Sequence, residues 1–347
     1  MKRITFLFQV FIFCFLAGCG ITETPGTTVE YTNQQPTPSQ TGFFIGSATS
    51  VVNETATVMP NNATEKHRDT ISDKMESTET QQREDAVTHD QVSKPSRPLT
   101  SNAWKGLPVI PQVSDNVKSI YKRGLELGRN PNIYSKIGDC GSTPTWFMGD
   151  FDRGPKYYDL GKYQHLNEVI NAFAGSHQRT SLAARAGFNA PSLFVPMWSD
   201  IEQCGSNESP IECEYRINNP IIAFIMLGAN DVWHMDEFEP SMRKIIEYSI
   251  NNGVIPILST KADNQEGDGS INYTIAKLAL EYDIPLINFW RAVQDIPDQG
   301  LQEDGVHLTW GNNDFSNPDS MQAAWTIRNL ISLQTLDAVW RKAIEKP

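Results

Sequence analysis

The chain changes character near residue 101. Before it polar residues dominate, apart from one apolar run over 4–16; after it apolar positions recur in an ordered way. Residues 133–137 read as a short strand ending at Gly138-Asp139-Cys140. Residues 163–173 carry helical spacing. Residues 221–227, after Pro220, are apolar without interruption, which suits a central strand covered on both faces. An amphipathic helix is predicted over 238–250 and stops at Asn251-Asn252-Gly253. A strand at 254–258, a helix at 271–282, a strand at 285–289 and a closing helix at 321–331 follow.

Strands that alternate with helices predict an α/β domain, a mostly parallel sheet with helices on both faces. Ligands of such sheets bind beyond the carboxyl ends of the strands. The folded domain is predicted over 102–347.

The N-terminal pattern is of another kind. Lys2 and Arg3 precede the apolar run, which is short for a membrane span and is followed by small residues, as in a secretory signal. The ending Leu16-Ala17-Gly18-Cys19 resembles a bacterial lipobox. That resemblance implies a signal peptide over 1–18, cleavage before Cys19, lipidation of its thiol, and an extracytoplasmic protein held at a membrane by the anchor alone. Residues 19–101 are rich in Thr, Ser, Pro, Gln and Asn and poor in aromatics, so they are expected to be a disordered tether carrying His67 and His89.

Composition narrows the function classes. The formal net charge is −12. Such a balance argues against a nucleic-acid partner, whose phosphates reward a basic face. Of five cysteines, Cys14 lies in the signal and Cys19 at its end. Cys204 and Cys213 flank a short polar stretch, and a disulfide between them suits an oxidising compartment. Two unpaired thiols are the alternative. The pairing leaves Cys140 free. No spacing resembles a zinc-ligand set, a P-loop or a dinucleotide fingerprint, and no metal or organic cofactor is expected.

Three short blocks carry the candidate chemistry: Gly138-Asp139-Cys140, Gly228-Ala229-Asn230-Asp231, and Asp304-Gly305-Val306-His307. Acyl transfer needs a nucleophile, a base, a group orienting that base, and donors for the developing oxyanion. Cys140, at a strand-to-helix turn, can be the nucleophile, with its thiolate favoured by a helix N-terminus and an imidazole. His307 can be the base, and Asp304, three residues earlier, can fix its tautomer. Asn230 offers an amide NH2. Taken singly, each block is also an ordinary turn or cap, and Cys140 an ordinary small buried residue.

In this order the blocks resemble those of the SGNH/GDSL hydrolases, with cysteine where that family carries serine. The resemblance spans residues 132–333. It implies a three-layer α/β/α fold with a flavodoxin-like strand order. It implies Cys140, Asp304 and His307 as catalytic residues, and an oxyanion hole from the Cys140 N–H, Asn230 and a glycine. For that glycine the sequence offers Gly187, with Gly175 as competitor. The function it implies is a surface-anchored esterase acting on small acyl esters, O-acetyl groups on glycans among them. The rival from another class is a silenced module of the same fold that binds glycans or acylated ligands without turnover. The oligomeric state is left open.

Other residues are less committed. Ser142 is a second nucleophile candidate. His165 and His177 fall in or near a predicted helix, and His234 follows Asn230 closely. Trp146, Trp198, Trp233 and Trp310 lie near the blocks; aromatic platforms suit sugars, although tryptophans are more often core.

Overall fold

The structure, a computed structural model, describes residues 99–345. Cys19, the signal segment 1–18 and the tether up to residue 98 lie outside the described residues. Within them, Leu99 already packs on the hydrophobic core, and its carbonyl accepts the Tyr273 hydroxyl at 3.2 Å.

The elements run in the order α1 (Asn116–Glu126), β1 (Asn130–Gly138), α2 (Asp150–Arg153), β2 (Tyr158–Asp159), α3 (Asn167–Ala172), α4 (Pro210–Asn218) and β3 (Pro220–Met226). Then come α5 (Met235–Asn251), β4 (Ile255–Ser259), α6 (Ser270–Glu281), β5 (Leu286–Ile287), α7 (Phe289–Ala292), β6 (Asn313–Asp314) and α8 (Ala324–Ile344). Four strands form a parallel sheet in the order β1-β3-β4-β5, and β2 pairs with β6 separately. Register follows from Ile137↔Ile225, Ile222↔Ile255 and Leu258↔Leu286. At the free edge of β1, its last residue Gly138 bridges Ala184 in parallel: Gly138 N–H donates to the Ala183 carbonyl at 3.0 Å, and Arg185 N–H to the Gly138 carbonyl at 3.1 Å. The segment through Ala184 thus occupies the place of a further strand beside β1, reduced to a single bridge.

Every residue of β3 and β4 is buried. A strand buried at each position is covered on both faces. Helices α1 and α8 pack on each other, with α1 against β3 and β4; α5 and α6 pack on each other and against β4. The result is a helix–sheet–helix sandwich.

A buried polar network fixes the edge of β1. Glu214, on α4, accepts Arg179 Nη1 at 2.8 Å and Leu182 N–H at 2.8 Å, and also the Ser135 hydroxyl. Arg179 Nη2 reaches the Tyr134 carbonyl at 2.9 Å. Removing one member of such a buried pair typically costs about 3–5 kcal/mol. These bonds hold the chain that leads to Gly187 against the strand that leads to Cys140.

Several predicted elements differ in detail. The 163–173 helix is broken: Gly161–Leu166 is a 3-10 turn, kinked at Tyr163, and only Asn167–Ala172 is α-helical. The strand expected at 285–289 ends at Ile287, because Asn288 accepts Arg291 N–H and opens α7. The polar stretch between Cys204 and Cys213 contains the start of α4, capped by Ser209 and Glu212 with Pro210 in its first turn, so Cys213 is a buried helical residue. The closing helix extends to Ile344.

Candidate active site

Strand β1 delivers Cys140. Gly138 has φ +156°, and a Cβ there would lie 2.3 Å from both the Met226 carbonyl oxygen and the Ser142 hydroxyl, so no larger residue fits. Asp139 Oδ1 accepts Gly141 N–H at 2.8 Å and caps the 3-10 turn Cys140–Ser142. Cys140 is half-buried and unpaired, while Cys204 and Cys213 are joined in a disulfide. Ser142 is fully buried behind the turn and lies off the cavity wall, which removes it as a nucleophile.

The electrostatics at Cys140 depart from the expected thiolate. Burial first, and then the neighbouring Asp139 carboxylate, push its thiol above the ordinary range; the Gly141 N–H and the Arg328 guanidinium oppose this. A three-residue turn supplies too little helix dipole to reverse the balance. The resting residue is a thiol that needs a base.

Asn230 and Gly187 are assembled by Asp231, which is fully buried. One Asp231 oxygen accepts Ala190 N–H at 2.8 Å, the other Gly228 N–H at 2.9 Å. The carboxylate therefore ties the turn after β3 to the segment that follows Gly187. Burial raises its pKa to about 6 against the pull of these two N–H donors. Asn230 Nδ2 donates one hydrogen to the Phe188 carbonyl at 3.0 Å, which orients the amide and leaves the second hydrogen unspent. Among the described residues, the backbone N–H groups of Cys140 and Gly187 have no acceptor in the protein. Three donors remain free along one wall.

His307 sits on a tight loop. Its Nδ1 lies 2.5 Å from Asp304 Oδ2, while Asp304 Oδ1 accepts the backbone N–H groups of Val306 and His307 at 2.9 Å each. Chiefly through the imidazole contact, Asp304 is pulled down to about 2. Side chains 65% and 49% exposed make this pair an orienting device rather than a source of stability. Gln265 Nε2, from the loop after β4, holds the Gly305 carbonyl at 3.0 Å, and Gln302 Nε2 holds the Leu308 carbonyl at 2.7 Å.

Cys140, Gly187, Asn230 and His307 all line one open cavity of about 330 Å³ at the carboxyl ends of β1, β3 and β4. Trp146 and Trp325, stacked with centroids 5.6 Å apart, form part of its wall. Arg328 and the Lys261–Asp263 ion pair, 2.6 Å long, are also on the wall and were not legible as site residues. Gly175 is exposed and lies off the cavity. His177 is a core residue between Tyr134 Oη and the Ile170 carbonyl, each at 3.0 Å. His165, His234, Trp198, Trp233 and Trp310 are exposed and off the wall. Among the described residues, the group with metal-like spacing is Cys204, Glu208 and Cys213, whose sulfurs are spent in the disulfide.

No protein-family model matches the chain, and no curated protein matches it. Solved structures similar to it include a G-D-S-L family protein from Desulfitobacterium hafniense, at 13% identity over 59% of this chain and 99% of that one, with a TM-score of 0.36. A GDSL-like lipase from Bacteroides thetaiotaomicron shares 16% identity over 63% of this chain and 98% of that one, with a TM-score of 0.34. An acetyl xylan esterase shares 19% identity over 58% of this chain and 96% of that one, with a TM-score of 0.34.

Proposed function

We propose that the protein is a carboxylic-ester hydrolase with a cysteine nucleophile. The observation that carries this reading is the shared cavity: a free thiol, an imidazole tethered to a carboxylate, and three unspent N–H donors face one space. His307 Nε2 takes the Cys140 proton as Sγ attacks the ester carbonyl carbon. The oxyanion is held by the N–H groups of Cys140 and Gly187 and by Asn230 Nδ2. The C–O bond then breaks, His307 returns the proton to the alcohol, and a thioester remains on Cys140. Water, deprotonated by His307, attacks the thioester; the C–S bond breaks, the acid leaves and the thiol is restored. Asp304 keeps the proton of His307 on Nδ1 and so keeps Nε2 available. Small acyl esters, including O-acetyl groups on glycans, suit the size of the cavity and its tryptophan wall.

A second reading has its own support. The raised thiol, with no hydrogen bond from Cys140 Sγ to His307, suits a module that binds an acylated ligand without turning it over. The two readings separate with full-length protein and a panel of small aryl and sugar acetates. Turnover by the wild type, lost in Cys140→Ala, supports the hydrolase. An inert wild type beside an active Cys140→Ser supports the silenced binder. The lipobox-like ending at Cys19 further supports a protein tethered to a membrane outside the cytoplasm, and retention of Cys19→Ala in the membrane fraction would refute that.

A further inference from the structure

Arg328 lies on the cavity wall without a direct ion pair. It rises from the second turn of α8 and packs among the rings of Trp325, Phe147 and Phe289, with its guanidinium carbon 5.1–5.7 Å from their centroids. Its Nη1 donates to the Gly141 carbonyl at 3.2 Å, next to Cys140, and its Nη2 meets the Met226 thioether sulfur at 2.9 Å, a weak acceptor. Its Nε is buried with no partner. Among the described residues no carboxylate oxygen lies within 4.0 Å of it, whereas Arg153, Arg179, Arg216, Arg243 and Arg341 are each ion-paired. Asp139 is the carboxylate whose charge Arg328 feels, but the two form no direct ion pair. Asp263 shares Lys261 with Glu266, and Asp139, its pKa raised by burial and pulled back in part by the Arg328 charge, spends an oxygen on the Gly141 N–H.

A guanidinium in an apolar slot with donors unspent is costly unless something anionic completes it. Here the slot opens into the cavity that holds the thiol. Packing among three rings and the bond to the Gly141 carbonyl restrain the fork, and a restrained planar fork matches a carboxylate better than a point charge would. We propose that Arg328 anchors a carboxylate of the substrate, so that the ester taken by this pocket is an anionic one, an O-acylated hydroxy acid or sugar acid rather than a neutral alcohol ester. This deepens the hydrolase reading and rests on it for the ester; the anion anchor itself does not require turnover.

The test uses an isosteric pair, 4-acetoxybenzoate and 4-acetoxybenzamide, with full-length protein. The wild type should favour the carboxylate by roughly tenfold or more in kcat/KM, expressed mainly in KM, the scale of one charge-assisted hydrogen-bonded contact. Arg328→Met should erase that preference, and Arg328→Lys should retain part of it. Calorimetry on Cys140→Ala gives a readout free of chemistry: 4-hydroxybenzoate should bind, 4-hydroxybenzamide should not, and Arg328→Met in that background should abolish the difference. Circular dichroism melts verify that each variant is folded; if Arg328→Met is not, the Arg328→Lys comparison and the wild-type binding pair decide. Equal handling of acid and amide by the wild type, or a preference that survives in Arg328→Met, overturns the anchor. If neither ester is turned over but the acid binds through Arg328, the hydrolase reading fails and the anchor stands.

Discussion

Asp304 Oδ2 holds His307 Nδ1 at 2.5 Å on a loop where the same carboxylate also accepts the backbone N–H of His307 at 2.9 Å. One side chain thus sets both the position of the histidine and the direction of its ring. The pKa of Asp304 is depressed to about 2, so its effect is complete above the unfolded value near 3.8 and fades only as pH falls through about 2. Asp304→Asn should therefore lower kcat on the order of a hundredfold or more at neutral pH, by favouring the wrong tautomer, with little change in the melting temperature. Steady-state rates and a thermal melt check this; an unchanged rate would separate the pair from the chemistry.

Asn230→Ala removes a free amide hydrogen from the cavity wall and the bond to the Phe188 carbonyl. Loss of one oxyanion donor should reduce kcat on the order of 10²–10³-fold with a smaller change in KM. A loss confined to KM would mean that Asn230 binds ground-state substrate instead.

Asp231 makes a stability prediction with a sign. Its pKa is raised to about 6, so the native state holds this proton more tightly than the unfolded chain does. The contribution is fully present below about 3.8 and is lost as pH rises through about 6. The stability advantage of wild type over Asp231→Asn should shrink across that window. At every pH the variant leaves one of the Ala190 and Gly228 N–H groups facing an amide NH2, at about 1–3 kcal/mol. Urea melts of both proteins at four pH values measure it, and an advantage that grows with pH would contradict the assignment.

Cys140 should alkylate slowly. With its thiol pushed up by burial and by Asp139, iodoacetamide should react more slowly at pH 7 than with a free thiol, and the rate should climb with pH past the midpoint of an unperturbed cysteine. Mass-resolved alkylation kinetics test this. Reaction at pH 7 faster than with glutathione would mean that an ion pair already forms the thiolate.

The sequence made some of this legible and concealed the rest for physical reasons. The apolar run of β3 identified a strand because burial on both faces leaves no polar position. Helix α8 was seen only in part: its buried residues, from Ala324 to Ala343, include Thr326, Asn329, Ser332 and Thr335, so no single apolar stripe marks its length. Helix α4 hid inside a polar stretch, although Ser209 with Glu212 three residues on and Pro210 between them is a capping signature that could have been recognised. Cys140, Asn230, Asp304 and His307 stood out because short blocks carry them. Gly187 was distinguishable from Gly175 only in space, and Arg328 had no local signal at all, since its lack of a direct ion pair is a property of the packed cavity.

The central claim is that acyl transfer passes through Cys140. It is tested most directly by incubating full-length protein with 4-nitrophenyl acetate, quenching in acid and mapping peptides by mass spectrometry. The account predicts a gain of one acetyl group on the peptide carrying Cys140, removed by hydroxylamine and lost in Cys140→Ala together with turnover. Ester hydrolysis that persists in Cys140→Ala, or an acetyl group carried by another residue, would contradict it.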